Sequence, residues 1–339
     1  MGTKIFLNHS YFTESPNLLL ENDDFKATAF RYPSGIESIK IRNAKGYVEL
    51  LPYMGQIIWD AAFNGIDLRL KNIFDQPKPA TCIIDTYGCF AFHSGLLANG
   101  CPAPDDTHPM HGEFSCAPMD EAWLEMTNDA IALISQYEYM QGFGYHYIAR
   151  PRVALGKNAT RFEIRMEVTN LTCTEMPLQY MCHMNYAFVP NGRMRQNLPA
   201  GAFALRRTVP AHVTPTPRWQ TLNDEILAGH IDVDSLEMAT EFDPEIVYFA
   251  DDLPRYGRDL EFTLGAPDGP AFITRFSAAD FPVATRWILH NADQRVAAFV
   301  LPGTSRPEGR LAAQKAGTLI ELEAGRSRRF HVTTGIKES

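Results

Sequence analysis

The chain lacks most of the features that name a function at once. No window approaches the roughly 18 apolar residues a membrane-spanning helix needs. There is no run of lysine or arginine. The formal net charge of -9 argues further against a nucleic-acid or anionic-membrane partner. The six cysteines form no Cys-x-x-Cys pair and are too sparse in 339 residues for a disulfide scaffold. Reduced, mostly buried thiols in a cytoplasmic protein are therefore expected. Residues Met1 to Ser10 hold one lysine and no apolar stretch of the kind a secretory signal carries. Phe6 stands where N-myristoylation wants serine or threonine. No phosphate-binding loop, no GxGxxG after a strand and no GxSxG elbow occurs. Low-complexity tracts, internal repeats and convincing linkers are also missing.

Helical patterning is scarce too. It is confined to a short candidate helix at Asp232–Thr240 and a turn within Ser305–Lys315. Period-two patterning dominates instead. In Arg161–Thr169, Phe162, Ile164, Met166 and Val168 share one face, while Arg161, Glu163, Arg165 and Glu167 share the other. That is a half-buried strand. His146–Leu155 reads as its hairpin partner across Gly156-Lys157-Asn158. Trp123–Met126 and Ala130–Ser135 flank a second turn, and Thr318–Glu323 and Arg328–Val332 flank a third at Ala324-Gly325. With 45% hydrophobic residues the chain can fill a large core. An all-β fold, one large antiparallel β-sandwich over residues 25–339 with an arm at residues 1–24, is the simplest architecture.

Two segments carry candidate chemistry. Alternation in Gln179–Phe188 puts Gln179, Met181, His183, Asn185 and Ala187 on one strand face, with the plainly apolar residues on the other. His183 thus points to the mixed face beside Asn185. His111 ends a Pro-, Gly- and Asp-rich loop, Asn99–Gly112, of the kind a rigid sheet holds in place for function. Gly112 permits a tight turn or a close approach there. Each histidine taken alone also fits a structural role. Trp287 suits the core better than a sugar stack. A metal site drawn from His93, Asp105, Asp106, His108, His111 and Glu113 is the rival reading, but its spacing matches no zinc signature.

The order of these segments resembles the aldose 1-epimerase (galactose mutarotase) superfamily, and within it a branch long catalogued as a domain of unknown function. Tyr53-Met-Gly-Gln, Phe92-His-Ser-Gly-Leu-Leu-Ala-Asn-Gly, His111-Gly, Val168-Thr-Asn-Leu, the His183-x-Asn strand and Pro244-Glu-Ile-Val-Tyr-Phe carry the likeness, from about residue 25 onward. The resemblance implies a β-supersandwich with a sugar groove on one sheet and no metal or other cofactor. It makes His111 and His183 the catalytic pair, with Gln56, Asn185 and Glu245 contacting the sugar. A small carbohydrate is the expected partner; the oligomeric state stays open. One departure stands out. Mutarotases place a general-base glutamate on a late strand, and here Ala298-Phe-Val-Leu-Pro holds Leu301 at that place. Two readings follow: an epimerase or isomerase in which another carboxylate, Glu308 or Glu245, serves as base, or a non-catalytic sugar-binding protein.

Overall fold

The structure, a computed structural model, describes residues 2–267 and 269–338. Alternating sequences fold as they should when one strand face is buried. In Arg161–Asn170 the residues Phe162, Ile164, Met166 and Val168 are buried, and their neighbours face outward. This strand pairs with His146–Gly156 on one side and Ser327–Lys337 on the other, within a nine-stranded sheet. Glu121–Met126 and Ala130–Met140 form the second expected hairpin in the same sheet.

A thirteen-stranded sheet lies across it. Its centre runs Ile246–Ala250, Val283–His290, Arg295–Gly303, Met176–Met184, Ala91–Leu96 and Ile57–Phe63, in that order. Every strand pair is antiparallel. The two inner faces make one continuous core, in which Tyr180 meets Phe330 and Phe90 meets Phe162 across the layers. The first residues are built into both sheets. Thr3–Phe6 extends the smaller one against Glu121–Met126, and Asn17–Glu21 extends the larger one against Lys26–Arg31.

Two local expectations are corrected. Ile320–Leu322 does not pair with the final strand. It joins Met176–Leu178 in the larger sheet, while Ser327–Lys337 enters the smaller one. The Ala324-Gly325 turn is therefore a crossing between layers. Fully buried Asn170 satisfies it, its side chain donating to Leu322 O at 2.8 Å and its own carbonyl accepting from Gly325 N at 3.0 Å. Asp232–Thr240 is not a helix. The Asp232 carboxylate accepts from Asp234 N at 2.9 Å, an Asx turn that competes with helix, and only Ala239–Glu241 makes a 3-10 turn. The longest helix is Pro217–Leu227, overlooked in the sequence although its signals are there. Thr216 caps Trp219 N at 3.1 Å, and Pro217 sits in the first turn. The expected turn within Ser305–Lys315 is met by a short helix, Arg310–Ala316.

Candidate functional site

Four adjacent strands of the larger sheet form the floor of a cavity. Alternation sends Val247, Thr285, Trp287, Leu289, Leu301 and His183 to this face, away from the core. Loops supply the walls: Asn72–Phe74, Ile84, Tyr87, the Cys101–His111 segment and the Arg206–His212 segment. The enclosed volume is about 450 Å³, within the range of small-molecule sites.

His111 and His183, distant in sequence, meet on this floor. Their ring centroids are 4.9 Å apart and nearly perpendicular. Phe92, paired in register with His183, stacks on the His183 ring at 4.6 Å, and Trp287 approaches it edge-on at 5.8 Å. His111 takes a left-handed backbone conformation, φ 64°, inside a loop sewn to the sheet by Gly95 N to His111 O and His111 N to Gly100 O.

The hydrogen bonds behind the rings set their tautomers. The Ser94 hydroxyl donates to Asn99 Oδ1 at 2.5 Å, with the Asn99 amide oriented so that its oxygen faces Ser94. Ser94 Oγ is left to accept from His111 Nδ1, 2.9 Å away. His111 Nε2 then carries a lone pair. Asn185 is held by a bond from its Nδ2 to Cys89 O at 3.0 Å. Its Oδ1 and His183 Nδ1 are both buried with no close hydrogen-bond partner, and the Asn185 side chain favours the charged form of the ring. A proton on His183 Nδ1 facing Asn185 Oδ1 is the arrangement that serves both. Its Nε2 is then the acceptor for the Tyr87 hydroxyl, 3.4 Å away. Both imidazoles thus present acceptors.

Burial decides their charge. It pushes His111 down to about 3, helped by the neighbouring His212 and His108, and holds His183 well below the ordinary imidazole value. His93, buried with Nδ1 2.8 Å from Tyr180 Oη, is lowered to about 3 as well. His212 goes the other way. Its Nδ1 faces Cys101 Sγ at 3.9 Å and its Nε2 faces Glu245 Oε1 at 3.4 Å, and these contacts raise it to about 10. The cavity thus combines two neutral imidazoles with one imidazolium.

A stability consequence follows. A histidine whose folded-state pKa is depressed binds its proton more readily when unfolded, so its contribution is complete above about pH 6.5 and is lost as pH falls toward 3. Each pH unit in that window removes up to about 1.4 kcal/mol per such histidine. Urea midpoints measured from pH 7.5 to 4 should fall steeply below 6.5. Replacing His93 by glutamine should flatten part of the slope; an unchanged slope would show that His93 does not stay neutral in the folded protein.

The other expected site residues divide. Glu245 lines the cavity, accepting from Trp287 Nε1 at 2.5 Å with Arg206 at 4.0 Å. Trp287, expected in the core, is a cavity wall, and its ring is set by that bond. Gln56 is corrected: it is fully buried between the sheets, donating to Ser135 Oγ and Pro151 O at 3.1 Å each, where no ligand reaches. An uncharged amide can be buried in a core that would not hold an unpaired arginine. Asn185 is likewise corrected to a support behind His183 rather than a cavity wall. Leu301 does line the cavity, opposite Thr285 in the strand register. Glu308 lies outside the cavity lining, bound to Thr208 Oγ1 at 2.5 Å and near Arg206 at 3.6 Å.

Of the candidate metal ligands, His108 Nε2 lies 3.7 Å from Asp106 Oδ2, but most of the set is bonded elsewhere. Asp106 accepts from Ala103 N and Leu311 N, Glu113 from Leu96 N, Leu97 N and Tyr147 Oη, and His108 donates to Pro109 O. Among the described residues, no group of three or more such donors is spaced to hold a metal, and no helix is long and apolar enough to cross a membrane. Tyr87, Arg206, His212 and Thr285 were missed. They sit in unpatterned loops or look like ordinary strand residues, and no local signal marks them.

No protein-family model matches the chain, and no curated protein matches it in sequence. Solved structures do match. A candidate aldose 1-epimerase from Klebsiella pneumoniae subsp. pneumoniae superposes with a TM-score of 0.82 at 12% identity, covering 99% of this chain and 91% of that one. A galactose mutarotase-like protein from Clostridium acetobutylicum gives 0.62 at 12% identity, with 94% and 100% covered. A candidate mutarotase from Salmonella typhimurium gives 0.61 at 9% identity, with 96% and 97% covered. The chain shares the fold of these mutarotase-like proteins. Identities this low establish the architecture, and function has to be argued from the cavity.

Proposed function

We propose that the chain binds an aldose in this cavity and interconverts its anomers by proton transfer through imidazoles. The observation that carries the reading is the convergence of His111 and His183, 4.9 Å apart, on the floor of a cavity edged by Trp287, Glu245 and His212. Anomer exchange needs a base for the anomeric hydroxyl and an acid for the ring oxygen. A neutral imidazole Nε2 takes the hydroxyl proton as the C1–O5 bond breaks. The His212 imidazolium supplies a proton to the ring oxygen, which as an alkoxide is the stronger base. Rotation about C1–C2 and reclosure, with the protons returned, give the other anomer. No cofactor enters. A second reading, binding without turnover, is favoured by Leu301, which fills the place where mutarotases carry their base.

Polarimetry on freshly dissolved α-aldoses separates the two. Turnover should exceed the buffer rate and fall by about 10²–10⁴-fold in His183→Ala, the usual worth of a positioned base. The rate should be flat across pH 6.5, because the two imidazoles stay neutral there, and should decline as His212 loses its proton near 10. A buffer-level rate alongside measurable sugar binding would instead support the binding protein.

A further inference from the structure

The cavity wall narrows the ligand class. Several of its polar groups are already engaged, while Asp293 and Gln294 also line it. Glu245 is taken by Trp287 and His212, Arg206 by Thr208 at 2.9 Å and Glu308, and the Asn72 amide by the carbonyls of Leu70 and Gly88 at 3.2 and 3.3 Å. Three polar atoms remain for a ligand on the floor. They are His111 Nε2, Thr285 Oγ1 and His183 Nε2, from which a ligand hydroxyl would displace the long 3.4 Å approach of the Tyr87 hydroxyl. Thr285 is 2% exposed, and its hydroxyl has no partner. A buried hydroxyl without a partner is unfavourable unless a ligand or water completes it.

The surfaces between these atoms are apolar. In strand order Leu301 lies between Thr285 and His183, and on the strand beyond, Val247 is paired with Trp287. Ile73 and Ile84 stand at the cavity with 71% and 46% of their surface exposed, which a ligand with an apolar flank would cover. A common aldohexopyranose carries a hydroxyl at every carbon but C5. One pressed on Leu301 or Val247 gives up water and gains no partner. A methyl group in that place gains from the same burial.

We infer that the cavity is built for a 6-deoxyhexose, its hydroxyls at His111, His183 and Thr285 and its methyl group on Leu301. This rests on the sugar-binding reading above and specifies its substrate. The test is calorimetric titration of the whole protein with three sugar pairs that differ only at carbon 6: 6-deoxy-D-glucose and D-glucose, L-fucose and L-galactose, L-rhamnose and L-mannose. In at least one pair the deoxy sugar should bind about tenfold tighter or better, within the roughly 10²-fold limit of an apolar wall discriminating against an added hydroxyl. Leu301→Gln, which offers that hydroxyl a partner, should bring the ratio toward one. Thr285→Val should weaken both members alike, by about three- to tenfold. The wild-type ratio needs no variant to fold. Hydroxymethyl sugars that bind as well or better in every pair, with binding lost in His183→Ala, would overturn the deoxy assignment and keep the sugar site. If none of the six binds, the sugar-binding reading itself falls.

Discussion

Gly112→Ala should unfold the site and cost the protein about 3 kcal/mol or more. Gly112 has φ 79°, so any side chain is strained before contacts are counted. A Cβ there would lie 2.2 Å from Ala98 O and 2.4 Å from Gly95 O. Both are backbone atoms of the Ala91–Leu96 strand and its exit, tied to the loop by Phe114 N to Gly95 O and Gly95 N to His111 O, so neither yields as a flexible side-chain end would. Relief requires moving His111 away from His183. Gly65→Ala is the control: its φ is 77°, but nothing lies within 4 Å of the added carbon, so about 1 kcal/mol is expected from backbone conformation alone. Thermal or urea unfolding of the two variants, with sugar titration, makes the comparison. Equal losses would show that the loop around His111 is compliant and that the close approach does not fix the histidine.

The same positions show what a sequence can and cannot disclose. The Arg161–Asn170 strand was legible because its burial alternates residue by residue, and one face must meet a core. Met176–Met184 was harder. Every residue of it is buried, since the cavity covers one face and the core the other, and alternation then marks chemistry rather than solvent. His183 was still readable as the polar member of the mixed face. His111 was readable from the Gly after it. His212 and Thr285 were not, because their significance lies in partners brought by remote strands: Glu245 and Cys101 for the first, Leu301 for the second. Gln56 misled for the converse reason. Its place in the motif order suggested a ligand contact, but it sits in the turn before Ile57–Phe63, with φ 45°, and its amide donates inward to backbone carbonyls. The final hairpin failed because Asn170 lets the chain cross between sheets where a tight turn was expected.

Leu301→Glu should raise the anomerisation rate by about 10²–10⁴-fold, at a stability cost of about 2 kcal/mol for burying a carboxyl group. Leu301 is 1% exposed and sits between Thr285 and His183 on neighbouring strands, so a glutamate there enters the cavity floor. Its carboxylate would do two things. It would accept the anomeric proton directly, a role for which burial raises its pKa usefully. It would also place a negative charge beside His183, lifting that imidazole from its depressed value and making it a stronger base. The pH profile, flat in the wild type, should then acquire inflections. Leu301→Gln separates charge from shape, since it has the same length and no ionisable group. Leu301→Glu with His183→Ala tests whether the gain passes through the histidine. If Leu301→Gln accelerated the reaction as much as Leu301→Glu, the gain would come from opening or wetting the cavity, and the absence of a carboxylate would not be what limits this protein.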